Sequence, residues 1–136
     1  MGFKRVEDIY AWEVGCAFAA EVYRLTRASS AATGDWKFRD QLWAAAGGIA
    51  ANIAEGFGRN NPGDFCRFID YAIGSLEEAS TRLKDGIARE YFLSASLVEA
   101  FRLGKHCRKV MKELRASQEE LRRKPPPNKR PRSERR

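Results

Sequence analysis

Cysteine, histidine and proline are scarce in this chain of 136 residues, and each shortage excludes something. The three cysteines, Cys16, Cys66 and Cys107, lie far apart. No CxxC or Cys/His spacing joins them, which argues against a zinc site and suits reduced thiols buried as small apolar residues. The single histidine, His106, has Leu103 three positions before it. The Glu-x-x-His motif of dinuclear helical bundles is therefore missing, and no metal, cofactor or catalytic residue is expected. Of five prolines, four crowd between Pro125 and Pro131. Only Pro62 punctuates the rest, so long helices are permitted. No apolar run approaches the roughly 18 residues that span a bilayer, and no hydrophobic signal core follows Met1 to Arg5. Both features point to the cytoplasm. Strict apolar/polar alternation is also missing, as is any 20–50-residue repeat of the kind that builds a solenoid, which disfavours sheets and repeat arrays.

What remains is a chain 43% hydrophobic and 32% charged, a globular composition with room for one domain. Its formal net charge of +7 is unevenly distributed. Residues 122–136 hold eight Lys/Arg and one Glu, whereas residues 1–121 hold 17 of each sign. The expected organisation is a folded body over 1–121 followed by a basic, proline-rich, disordered tail over 122–136.

Four helical patterns fill the body. Ile9, Trp12, Cys16, Ala19 and Tyr23 recur at spacings of three and four, predicting a first helix over about residues 7–27. A Ser/Ala/Thr-rich loop from Ala28 to Gly34 follows, and Asp35 can cap the next helix by accepting from a free backbone N–H. In that second helix Phe38, Leu42, Ala45, Ala46, Ile49 and Ile53 form the seam, with Gly56 and Gly58 placed to end it in the left-handed conformation. Asn61-Pro62, with Asp64 in the first turn, is the clearest helix start.

The third helix then carries Phe65, Phe68, Ile69, Ala72, Leu76, Ala79 and Leu83, fading around residues 86–90. For the fourth, Ser96 and Glu99 have capping-box spacing. Ala100, Leu103, Cys107, Val110, Leu114 and Leu121 then hold one face, broadened by Leu97, Phe101 and Met111. Short connections force successive helices to run antiparallel, so the expected fold class is all-α, an up-down-up-down four-helix bundle.

Two stripes of residues do not fit a simple core. Gly48, Asn52, Glu55 and Arg59 line one side of the second helix; Arg67, Tyr71, Gly74 and Glu78, with Ser75 alongside, line the third. Mid-helix glycine costs about 1 kcal/mol relative to alanine, so Gly47, Gly48 and Gly74 suggest close approach by a backbone or side chain. Asn52, Glu55, Arg59, Arg67, Tyr71, Ser75 and Glu78 can form a buried polar network, a subunit contact or a binding face, and the pattern alone leaves all three open.

The run Asn52-Ile53-Ala54-Glu55-Gly56-Phe57 with Arg59, then Phe65, Phe68, Ala72, Gly74-Ser75-Leu76 and Glu78, resembles the four-helix-bundle proteins encoded in intervening sequences of bacterial 23S rRNA genes. Trp12, Tyr23-Arg24-Leu25-Thr26, Gln41-Leu42 and Ala45 fit the same pattern, which covers about residues 3–115. That family is similar to the accessory protein of diversity-generating retroelements. The resemblance implies a homo-oligomer, typically a pentamer, and an RNA or DNA partner alongside a reverse transcriptase.

The tail suggests a route to nucleic acid. Arg122, Arg123, Lys124, Lys129, Arg130, Arg132, Arg135 and Arg136 can contact phosphates without sequence specificity, and several tails on one oligomer would add avidity. The competing expectation is an oligomeric scaffold that docks a protein partner and ignores nucleic acid. Its motivation is the neutral body and the aromatics Trp36, Phe57 and Tyr71.

Overall fold

The computed structural model describes residues 2–124. Lys129, Arg130, Arg132, Arg135 and Arg136 lie outside the described residues. After a 3-10 turn at Val6–Asp8 come α1 (Tyr10–Arg27), a short α2 (Ser30–Gly34), α3 (Trp36–Gly58), α4 (Pro62–Ala88), a 3-10 turn at Ser94–Leu97 and α5 (Val98–Arg123). Among the described residues there are no strands.

Residue pairing across the long helices fixes their directions. Gly15 meets Ile49 and Tyr23 meets Gly47, so α1 and α3 are antiparallel. Between α3 and α4, Gln41 pairs with Arg82, Gly48 meets Ser75 and Gly56 meets Phe65 and Phe68. Between α4 and α5, Glu77 pairs with Arg108 and Asp70 with Arg115. The up-down-up-down order follows, and contacts between α1 and α5 close the ring.

The core lies inside that ring. Phe38, Leu42, Ala45, Ala46, Ile49 and Ile53 of α3 are all buried, as are Phe65, Ile69, Ala72, Leu76, Ala79 and Leu83 of α4. Full burial of a leucine or isoleucine is worth roughly 1.5–3 kcal/mol, so these two seams anchor the bundle. Glycine tightens it further: a Cβ at Gly56 would lie 2.8 Å from Phe68 Cβ, and one at Gly48 only 2.8 Å from Ser75 Oγ. Gly47 faces the Tyr23 hydroxyl in the same way. Gly74 departs from expectation, since a side chain there would meet nothing within 4 Å.

The outer helices carry their seams only partly where the apolar spacing suggests: Ile9, Ala19, Ala100, Cys107, Met111 and Leu114 are buried as expected, and other positions are not. In α1 the buried face is Ala11, Val14, Gly15, Phe18, Ala19, Val22, Leu25 and Thr26. Trp12, Cys16 and Tyr23 form a half-buried flank, with Tyr23 edge-on to Trp43 of α3 at 5.2 Å. In α5 the seam is Ala100, Gly104, Cys107, Met111, Leu114 and Gln118; Leu103 and Val110 flank it, and Leu121 is exposed. Each of these helices has two apolar ridges at helical spacing, and only the neighbours decide which points inward.

Helix ends show the same mixture. Asp35 accepts from Phe38 N at 3.1 Å and Asn61 from Asp64 N at 3.0 Å, as their spacing predicts. By contrast, α3 continues through Gly58, and Asn60 takes the positive φ of 53°. Asparagine tolerates that conformation, so no glycine is needed there. Ser96 lies inside the 3-10 turn and does not cap α5, whose N-cap residue Leu97 is held by burial.

The end of the bundle near Asp35 is closed by a charged network. Tyr91 donates to Asp35 Oδ2 at 2.7 Å, while Arg89 bonds Asp85 at 2.7 Å and approaches Asp35 at 3.6 Å. The Tyr91 hydroxyl and the Phe38 amide hold the Asp35 carboxyl below its ordinary range. Beneath this network Gly86 packs against aromatic rings: a Cβ there would lie 2.5 Å from Phe92 and 3.0 Å from Phe38.

Candidate nucleic-acid interface

The two polar stripes line the two sides of one outer groove between α3 and α4, but most of their bonds run along each helix. Asn52 Nδ2 donates to the Gly48 carbonyl at 2.8 Å, and Arg59 pairs with Glu55 at 2.9 Å. Arg67 lies 3.6 Å from Asp64. Glu78 holds Arg82 at 2.9 Å, and Arg82 donates across the groove to Gln41 Oε1, also at 2.9 Å. Ser75 sits half-buried against Gly48. Glu55, Arg59, Arg67, Tyr71 and Glu78 are exposed, so this is a surface rather than an interior layer.

At the open end of that groove the stripes meet the start of the basic segment. Arg122 and Arg123 occupy the last turn of α5, where both pair with Glu119, and Lys124 pairs with Glu120 at 2.9 Å. The Lys124 ammonium, by hydrogen bond and charge, lowers the Glu120 carboxyl. Arg122 Cδ and Nε would each be 3.6 Å from a Cβ at Gly63, so α5 ends beside the connection that joins α3 to α4. Arg59, Arg67, Arg122, Arg123 and Lys124 thus converge on one end of the bundle. Lys124, the last of the described residues, lies at that end.

Aromatic rings are interleaved with these cations. Arg59 stands 5.0 Å and Arg67 5.4 Å from the Phe68 ring centroid, and Tyr71 meets Phe68 edge-on at 5.4 Å. Tyr71 is 51% exposed and Trp36, further away, is 67% exposed. Phe57, expected to be exposed, is half-buried against the core.

The neutral sum over residues 1–121 concealed a separation of charge between helices. α5 carries eight Lys/Arg against four Asp/Glu, while α4 carries three against five. Arg102, Arg108 and Arg115 are paired with Glu99, Glu77 and Asp70. Lys105, Lys109 and Lys112 make no ion pair among the described residues and form one exposed row at helical spacing. An open concavity runs along them, bordered also by Arg102 and His106. The row was visible as an i, i+4, i+7 pattern, but which side of the helix faces water depended on the seam.

His106 is half-buried and hydrogen-bonded to the Tyr10 hydroxyl at 2.9 Å, which ties α1 to α5. Cys66 and Cys107 are buried, Cys16 half-buried, and burial pushes the Cys107 thiol up to about 12. A thiol so raised stays protonated and is a poor nucleophile. Among the described residues no group of three His, Cys, Asp or Glu could hold a metal ion, and no helix is long and apolar enough to cross a membrane. The chemistry on offer is the binding of anions and flat rings at a basic, aromatic end.

No curated protein matches the chain. The model of one family does match, over residues 7–119, which spans α1 to α5 and so most of the bundle; the chain belongs to the 23S rRNA-intervening sequence protein family.

Proposed function

We propose that this chain is a non-enzymatic, cytoplasmic nucleic-acid-binding accessory protein that works as a homo-oligomer, with the basic C-terminal segment as its main contact. The observation that carries the reading is the gathering of charge: α5, with its unpaired lysine row, runs into the segment that holds the whole formal net charge of +7. Phosphate neutralisation by Lys/Arg releases counterions and is independent of sequence. RNA or DNA both satisfy that chemistry, and the family's association with 23S rRNA intervening sequences is in keeping with RNA. Action beside a reverse transcriptase, by analogy with retroelement accessory proteins, is part of the same proposal.

Self-association has its own support. Ala44 and Ala51 are exposed on the middle of the outer face of α3, where their short side chains let a second helix approach. On the α1 side of α3 the Trp43 indole N–H is buried and finds no acceptor among the described residues. A pentamer would display five basic tails together.

The test compares full-length protein with the 1–121 truncation on a short single-stranded RNA, with oligomer size measured by light scattering. Binding by the full-length chain is expected to weaken steeply between about 50 and 200 mM salt, with a log–log slope of about −0.7 per phosphate contacted. The truncated form should bind far more weakly. Equal, salt-sensitive affinity in both forms would move the contact to the α5 lysine row. An oligomer indifferent to RNA in both forms would favour the second reading, a scaffold that docks a protein partner through exposed aromatics such as Trp36.

A further inference from the structure

Charge explains attraction to phosphate but not the aromatic cluster beside it. Tyr71 is a large ring, half exposed on a helix whose other aromatics, Phe65 and Phe68, are buried or half-buried. Its hydroxyl has no hydrogen-bond partner among the described residues, and its only aromatic neighbour is Phe68, met edge-on. Burial of the Tyr71 ring therefore does not account for its place. The Gly74 side of the ring is open, because the next turn on the same stripe carries no side chain and a Cβ there would meet nothing within 4 Å.

The polar atoms near this opening are incompletely used. Asn52 spends one N–H on the Gly48 carbonyl, which leaves its Oδ1 and second N–H without partners among the described residues. Ser75 Oγ, beside Gly48, also makes no bond there. The cations differ in how they are held: Arg59 and Arg67 are shared between a carboxylate and the Phe68 ring, Arg59 with Glu55 and Arg67 with Asp64. Both guanidiniums border the Phe68 ring that Tyr71 meets edge-on, and there they can stack on a ring or meet a phosphate.

We infer that Tyr71, flanked by Arg59, Phe68 and Arg67 and open on its Gly74 side, is a stacking platform for unpaired nucleobases, so that the chain prefers single-stranded to double-stranded nucleic acid. A duplex buries the faces of its bases and offers only phosphates and groove edges, which the tail can contact equally well in either form. A single strand offers its π-faces, and base–aromatic stacking tolerates any sequence. Asn52 and Ser75 then supply donors and acceptors to a base edge on the groove side. Charge selects the polymer and the ring selects its unpaired state. This inference rests on the nucleic-acid reading above.

The experiment measures affinity by fluorescence anisotropy for a single-stranded RNA and for a duplex with the same number of phosphates, using full-length protein and its Tyr71→Ala and Tyr71→Phe variants. Tyr71→Ala should weaken single-strand binding about five- to thirty-fold, the equivalent of roughly 1–2 kcal/mol for one stacked base. It should leave duplex binding and the thermal midpoint unchanged, since Tyr71 is exposed. Tyr71→Phe, which keeps the ring and loses the hydroxyl, should bind like the parent. Equal losses on both polymers, or no loss on either, would overturn the platform while leaving tail-driven binding intact. Failure of the parent protein to bind either polymer would overturn both the platform and the broader reading.

Discussion

The two ends of the bundle use similar residues for opposite purposes. At the end near Asp35, a charged network joins three elements: Tyr91 and Phe38 N converge on Asp35, and Arg89 bridges Asp85 to Asp35 while covering Phe38. Gly86 lets Phe92 close over the core beneath. At the other end, Arg59, Arg67, Arg122, Arg123 and Lys124 pair only with carboxylates on their own helices, one turn away at most. Pairs of that kind are exposed and weak, and they exchange readily for a phosphate. A cross-helix network stabilises the fold, whereas pairing along a single helix leaves cations available.

That contrast can be broken from either side. The largest effect on stability is expected at the closed end from Gly86→Ala, whose new methyl would overlap the Phe92 ring. Overpacking of this kind typically costs about 1–3 kcal/mol, to be read from chemical denaturation. A stability equal to the parent would show that the Phe92 loop yields easily. The paired control, Gly74→Ala, places a methyl in open space and should raise stability slightly, because alanine is the better helix former.

A smaller effect should follow from Asp35→Ala, which removes the cap on α3 and the acceptor for Tyr91. Its sign with pH is fixed by the lowered carboxyl. Asp35 in the folded protein holds its proton less tightly than in the unfolded chain, so its contribution is complete above the unfolded value of about 4. The contribution is lost as pH falls through the folded value. Melting curves should therefore separate parent from variant at pH 7 and converge in acid. A constant gap from pH 7 to pH 2 would mean that Asp35 acts through packing alone.

The smallest stability change is expected at the open end. Replacing Arg122, Arg123 and Lys124 together by Gln should leave the thermal midpoint within a degree or two, because surface pairs contribute little. The same triple change should flatten the salt dependence of RNA binding by about 0.7 per lost phosphate contact. Loss of the fold on this change would make the end of α5 a structural element instead.

Much of the bundle was legible because α3 and α4 each have one unambiguous apolar face and recognisable caps at Asp35 and Asn61. The outer helices were harder to read. Gly104 and Gln118 face the interior of α5, and an apolar-spacing rule counts neither as core. Gly104 belongs there because Phe18 of α1 comes within 3.3 Å of its would-be Cβ, a fact held in another helix. The candidate site divides in the same way. The basic segment and the Asn52 and Tyr71 stripes could be read directly, while their meeting at one end could not.

Period, punctuation and charge run along the chain, so the sequence by itself determined the helical class, the antiparallel order, the caps at Asp35 and Asn61 and the concentration of positive charge toward the C-terminus. Tertiary structure decided the facing of α1 and α5, the exposure of the Lys105, Lys109 and Lys112 row, and the placing of Arg122 beside Gly63 with Tyr71 one groove away. Those depend on which ridge of one helix fills the groove of another, and helical spacing alone does not carry that choice.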